Sequence, residues 1–311
     1  MVIDWMGLSM KSIIFAIVGL STFTSIRLPA VAESIPSSLR VSQLARSPLP
    51  SHYPPTSLPI PSPSTPFPIL RSQANQGNDL ALLAKVIRLF LKDDIYQTES
   101  DIQVNIESGN TTVQSSAKVT TISQFPNKFR SEISFTKPGE KTSITTLVIS
   151  DGRQVWLYRA DLKQYQVVSY SDFSKHPDKF WLGFSNMIYA EIPSEARQYV
   201  AQGDASSTKV AEAVGLELKG LKGKLQTLGS QSLYVYEYKD GKEGFTFSAF
   251  VEPQTATLKQ LQITVGASGV DLGVTEQILQ RIANPPIAPN IFTFSPSAGA
   301  IQVKSLPIGP L

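Results

Sequence analysis

The chain has 311 residues, 41% hydrophobic and 17% charged, with a formal net charge of +3. That charge is too small for a nucleic-acid surface, and the loose group Lys219, Lys222 and Lys224 reads as a solvated loop. Cysteine is absent, which excludes disulfides, thiolate nucleophiles, cysteine-held zinc or iron–sulfur centres, and lipid attachment at a cysteine.

Residues 1–32 read as a secretory signal: Lys11 precedes the apolar run Ile13 to Leu20, and Ala30-Val31-Ala32 fits a small-residue cleavage site. The apolar run is shorter than the roughly 20 residues that span a bilayer, so cleavage is expected rather than retention as an anchor. Residues 33–76 form a linker in which prolines recur from Pro36 to Pro68 among Ser, Thr and Leu. Proline fixes φ and donates no hydrogen bond, so this stretch is expected to be extended.

Asn78-Asp79 caps a helix whose Leu80, Leu83, Ala84, Ile87, Phe90 and Leu91 follow helical spacing. After Asp94 the period becomes 2. Ile102, Val104 and Ile106 alternate with polar residues, Ser108-Gly109-Asn110 turns the chain, and Val113 to Ile122 makes a second strand. Phe129, Ser131, Ile133 and Phe135 line a third, and Lys137-Pro138-Gly139-Glu140 is a turn. Then come two apolar runs, Leu147 to Ile149 and Val155 to Tyr158, around Asp151-Gly152, which predicts a hairpin with a type I′ turn. Tyr165 to Tyr170 follows. Strands joined by short turns form an antiparallel meander.

The hairpin strands are apolar on both faces: Val148 opposes Leu147 and Ile149, and Val155 and Leu157 oppose Trp156 and Tyr158. Something apolar must therefore cover each face of the sheet here. Phe180, Phe184, Met187, Ile188 and Glu191, with Trp181 beside them, predict an amphipathic helix, and Pro193 starts another. Gly203 to Lys224 reads as loop with one short strand at most. Tyr234, Tyr236 and Tyr238 line a strand, and Phe245 to Val251 and Leu258 to Val265 make a further hairpin before a mixed segment. The fold class is α+β: one large curved antiparallel sheet with a few helices that can cover only one of its faces.

Several stretches resemble the LolA-like family of periplasmic lipoprotein carriers. They are Phe125-Pro126-Asn127-Lys128-Phe129-Arg130, the turn at 137–140, Leu147 to Gly152 running into Val155 to Tyr158, Asp161-Leu162-Lys163-Gln164, and Phe292 to Ala300, similar to the family's closing strand. The resemblance covers residues 78–304 and implies that the sheet is a half-open β-barrel with the helices over its concave face as a lid. It implies a half-barrel domain at 77–305 with a tail at 306–311, and a lidded cavity that carries lipid acyl chains or lipoproteins across the periplasm. A monomer with a membrane-bound donor or acceptor protein and no cofactor is expected. The proteobacterial carrier has a gating arginine where this chain has Phe125. The expected gating positions here are Phe125 and Arg130.

The candidate cargo-binding residues are Trp156, Tyr158, Phe180, Trp181, Phe184 and Met187, with the alternative that Val155 and Leu157 face the cargo. The residue types for covalent chemistry are sparse. His52 lies in the linker, His176 sits in a polar approach to a helix, and the acidic pairs Asp93-Asp94 and Glu99/Asp101 have no metal-ligand spacing. No catalytic or metal site is expected, and the reading is of a carrier. The alternative is a sensor or interaction module of the same fold that docks a partner through the sheet edge or the Pro-rich arm.

Overall fold

Asp79 starts the first helix: its Oδ1 accepts the N–H of Leu82 at 2.9 Å, closing α1 (Leu80–Leu91) at its N-terminus. In the computed structural model the described residues are 79–136, 143–203, 205–229, 231–241, 244–267 and 269–309. The signal segment 1–32, the linker 33–76 and the turn 137–140 lie outside them. The meander then runs through β1 (Ile95–Ser108), β2 (Thr111–Gln124), β3 (Lys128–Thr136), β4 (Ser143–Asp151), β5 (Gln154–Arg159) and β6 (Gln164–Ser169). A helical stretch follows: α2 (Tyr170–Phe173), a 3₁₀ turn (Pro177–Leu182), α3 (Phe184–Glu191), α4 (Ser194–Ala201) and α5 (Ser207–Ala213). The chain returns to the sheet with β7 (Leu221–Leu228), β8 (Gln231–Asp240), β9 (Phe245–Glu252), β10 (Thr257–Ala267), β11 (Val270–Ala283) and β12 (Ile301–Gln302).

The twelve strands among the described residues join one open sheet in the order β12-β6-β5-β4-β3-β2-β1-β11-β10-β9-β8-β7. Every pairing is antiparallel except β12 on β6. Twelve strands about 4.8 Å apart would span about 50 Å if flat. Yet Val155 and Leu157 of β5 share one core cluster with Phe245 and Phe247 of β9, around Trp181 and Phe184. The sheet is therefore curled around the helices without closing, the curved open sheet expected from the sequence.

Four local expectations change. The hairpin forms, with Ser150 opposite Val155, but only Gly152 has positive φ (95°). The turn is held instead by Asp151 Oδ1, which accepts the N–H groups of Arg153 and Gln154, both at 2.8 Å. The aromatic helix is two pieces, a 3₁₀ turn and α3, parted at Gly183. The stretch 203–224 contains α5, capped by Ser206, and seven residues are too short to show a helical period. The mixed segment after Val265 contains β11, which pairs with β1 from Tyr96↔Ala283 to Ser108↔Val270. Its inward row runs Leu272, Val274, Glu276, Ile278, and the buried Glu276 breaks the apolar alternation that marks a strand.

The hairpin's two-sided apolarity has two distinct covers. Val148, Val155 and Leu157 are buried in the cluster beneath the 3₁₀ turn and α3. On the opposite face Phe294 packs on Trp156, Tyr158 and Tyr165, with ring centroids 6.4, 5.6 and 5.6 Å away. The segment resembling a closing strand is thus an irregular strap over the outer face, and the last strand pairing comes later, at Ile301-Gln302.

Candidate functional site

Two regions divide the inner face. Under the 3₁₀ turn the space is filled by protein. Trp181 is fully buried and stands edge-on to Phe135 at 4.8 Å between centroids, with Phe180 at 5.0 Å. Phe184 is 2% exposed in the same cluster.

A polar seam fixes α3 to the sheet. The N-cap of α3 is Gly183, which has no side chain to satisfy the helix's first N–H groups. Glu276 of β11 supplies the acceptor. Its Oε2 accepts the Ser185 N–H at 2.7 Å, and its Oε1 accepts the hydroxyls of Ser185 at 2.6 Å and Ser100 at 2.9 Å. A carboxylate at a helix N-terminus is favoured by the helix dipole. Burial nonetheless holds the Glu276 carboxyl above its ordinary range, outweighing the hydrogen bonds from Ser185 and Ser100 and the attraction of Arg281. One residue on, Asn186 donates to Leu182 O at 2.8 Å and accepts from Ser123 Oγ at 3.2 Å. Gly183 has φ 92°, and a Cβ there would stand 2.5 Å from Glu276 Oε1. Gly183→Ala is expected to destabilise the protein by about 1–3 kcal/mol from backbone strain alone, and urea unfolding measures it.

The second region keeps open space. A pocket of about 130 Å³ lies between α1, the second half of α3, the start of β7 and strands β8–β10. Leu83, Val86, Ile87 and Phe90 of α1 and Ile188 of α3 form one wall, and Tyr236, Tyr238, Phe247, Ala249, Leu258 and Leu261 the other. Hydrocarbon dominates this lining, with Glu217 as its one carboxylate. Tyr236 Oη donates to Asp79 O at 2.6 Å, tying the start of α1 to β8. Burial pushes the Tyr236 hydroxyl far above its usual pKa, so it remains a neutral donor.

The sequence-derived candidates separate between these places. Trp156 and Tyr158 lie on the outer face under Phe294, opposite the helices. Phe180, Trp181 and Phe184 stand in the filled core. Met187 borders a smaller cleft of about 40 Å³, together with Phe125, Phe129 and Phe173. The alternative pair, Val155 and Leu157, faces inward but is fully buried by the core.

At the expected gating positions, Phe125 carries a guanidinium on its ring: Arg197 of α4 stands 4.4 Å from its centroid and 4.6 Å from that of Tyr189. Arg197 Nη2 also donates to Asp93 O and Asp94 Oδ1, both at 3.1 Å. A cation therefore occupies this corner, delivered by a helix rather than by the strand. Arg130 is half-buried on β3 between Ile122 and Ile149, with no ion pair among the described residues.

The pocket's lining comes from elements the sequence predicts, the apolar stripe of α1, the tyrosine row of β8 and the hairpin of Phe245 to Val251 and Leu258 to Val265, but nothing in the sequence marked them as the walls of a pocket. His176 Nδ1 accepts the Asp178 N–H at 3.2 Å and so caps the 3₁₀ turn, while burial lowers its pKa. Among the described residues no group of three His, Asp or Glu side chains is placed to hold a metal ion. No described helix is long and apolar enough to cross a membrane.

No family model and no curated protein matches the chain. Solved structures similar to it include an uncharacterized conserved protein from Thermus thermophilus, at 12% identity and TM-score 0.36, covering 72% of this chain and 98% of that one. A LolA superfamily protein from Nitrosomonas europaea has 11% identity and TM-score 0.27, covering 69% and 96%. The MucA/MucB complex of Pseudomonas aeruginosa has 8% identity and TM-score 0.28, covering 72% and 63%.

Proposed function

We propose that the protein is a periplasmic carrier that shelters acyl chains or other amphipathic cargo in the pocket between α1, α3 and β8–β10, without covalent chemistry. The observation that carries this reading is a hydrocarbon-lined space of about 130 Å³ left between helices and sheet. Each methylene transferred from water contributes about 0.8 kcal/mol, so such walls hold a chain without specific polar contacts. A pocket of about 130 Å³ is close in size to the roughly 150 Å³ apolar cavity that accepts benzene. It holds one end of an acyl chain, and seating more of it requires α1 and α3 to part from β8–β10.

Delipidated protein is expected to take up a fluorescent fatty acid, and protein purified under gentle conditions is expected to release lipid on solvent extraction, read by mass spectrometry. No uptake and no extracted lipid would defeat the proposal. Ala249→Phe fills the floor of the pocket. Excluding about two methylenes should weaken uptake about tenfold, with the unfolding midpoint nearly unchanged. Equal uptake by the variant would place the cargo elsewhere.

Docking through the sheet edge at β7 is the less favoured reading. That edge strand carries Lys222 and Lys224, the kind of charge that discourages edge pairing. The opposite edge, at β6, is already paired with β12.

A further inference from the structure

Residues 301–309 are bound as a peptide is bound. After the outer strap the chain turns around the β6 edge. Ile301 N–H donates to Lys163 O at 2.9 Å and Val303 N–H to Tyr165 O at 2.8 Å, adding a short parallel strand. It then enters the inner face, where side chains rather than a strand read its backbone. The amide of Gln166 donates to Lys304 O at 3.0 Å and accepts the Leu306 N–H at 2.9 Å. Thr146 Oγ1 donates to Ile308 O at 2.9 Å, and Asp178 Oδ2 accepts the Ile308 N–H at 3.3 Å.

These three residues come from β6, β4 and the 3₁₀ turn. Gln166 and Thr146 are themselves buried. Along the segment, Leu306 and Ile308 are buried in the main core, while Lys304, Ser305 and Pro307 are exposed. Gly309 is buried, and a Cβ there would collide with Trp181 Nε1.

We propose that this groove, bounded by β4, β6 and Trp181, is a peptide-binding site. The chain's own segment 304–309 occupies it in cis, and it takes in trans an extended partner segment of the form apolar–x–apolar–Gly. The two apolar residues fill the places of Leu306 and Ile308, and the glycine passes beneath the indole. Edge pairing supplies affinity and the alternate side chains supply specificity, the physics of β-strand addition. The cis segment enjoys a high effective concentration, so a partner must displace it or meet it already released. Between β11 and β12 lies an irregular strap containing Pro285, Pro286, Pro289 and Pro296, held on the outer face by Phe294. This site is separate from the apolar pocket, and its existence does not depend on the carrier reading.

The test keeps the full chain and places a protease recognition sequence at the exposed turn 297–299. After cleavage the body is expected to remain folded by circular dichroism. A fluorescent peptide of residues 300–311 is expected to exchange into it with a rise in anisotropy. An unrelated peptide with Leu-x-Ile-Gly spacing should compete. The same peptides with Ile308→Asp or Gly309→Val should compete at least tenfold less well. A folded, nicked body that binds no added peptide would overturn the proposal, as would equal competition by the Ile308→Asp peptide. Collapse of the body on cleavage would also overturn it, because the tail would then be part of the folding core rather than a ligand.

Discussion

Trp181→Ala is expected to lower stability by about 3–5 kcal/mol, the usual cost of emptying a large aromatic site in a packed core. For a domain of this size that corresponds to a fall in melting temperature of roughly 10 °C. The cause is local. Trp181 is fully buried, stands edge-on to Phe135, touches Phe180, and roofs Gly309 at the end of the bound tail. Its removal empties the junction of sheet, 3₁₀ turn and tail together. Urea unfolding checks the size of the effect. Fatty-acid uptake, measured at a temperature where the variant is fully folded, is expected to stay near wild type, because Trp181 is not on the pocket wall. A large loss of uptake by a folded variant would instead move the cargo site under the 3₁₀ turn.

The second large effect belongs to Glu276. Glu276→Ala removes the acceptor that stands in for a missing N-cap, leaves the Ser185 N–H buried without a partner and opens a void beside Gly183. A loss of about 2–4 kcal/mol is expected. Glu276→Gln keeps an oxygen to accept that N–H and should stay within about 1 kcal/mol of wild type near neutral pH. The pH dependence separates charge from shape. The folded-state pKa of Glu276 is raised above its ordinary 4.5 by burial, so the folded protein binds this proton more tightly than the unfolded chain does. Its contribution is therefore greatest below the unfolded pKa and is lost as pH rises through the folded value. Wild type should exceed Glu276→Gln by most below about pH 4.5, and the margin should shrink toward neutrality. A margin independent of pH would mean that the three hydrogen bonds offset the burial in full.

How much of this was legible in the sequence can be judged residue by residue. The cap at Asp79, the alternation in β1 and β3, and the hairpin at Asp151-Gly152 were all readable, because each is set by neighbours within a few positions. The two-faced hairpin also announced, correctly, that both sides of the sheet are covered. β11 was missed because Glu276 interrupts its inward row. An inward carboxylate makes sense only beside Ser100 and the start of α3, residues far away in the chain. Phe292 to Ala300 was expected as a closing strand from the family resemblance, but Phe294 packs onto the sheet from outside rather than within it.

The candidate residues are the aromatics of the two-faced hairpin and of the expected aromatic helix, with Met187, a signal of burial that is blind to what does the burying. Trp156 meets Phe294, Trp181 meets Phe135 and Gly309, and the open space falls beside Ala249 and Leu258, which carry no aromatic signal at all.

By itself, then, the sequence determined the class of the fold: alternation, turns and caps are short-range, and an apolar two-faced strand demands two covers whatever they are. Only the tertiary structure decided which cover is which. The helices lie over Val155 and Leu157, the strap lies over Trp156 and Tyr158, and the tail fills the groove by Trp181 while a pocket stays open near α1. Those outcomes depend on how the curled sheet brings distant segments together, and close packing leaves a void only where their shapes fail to meet.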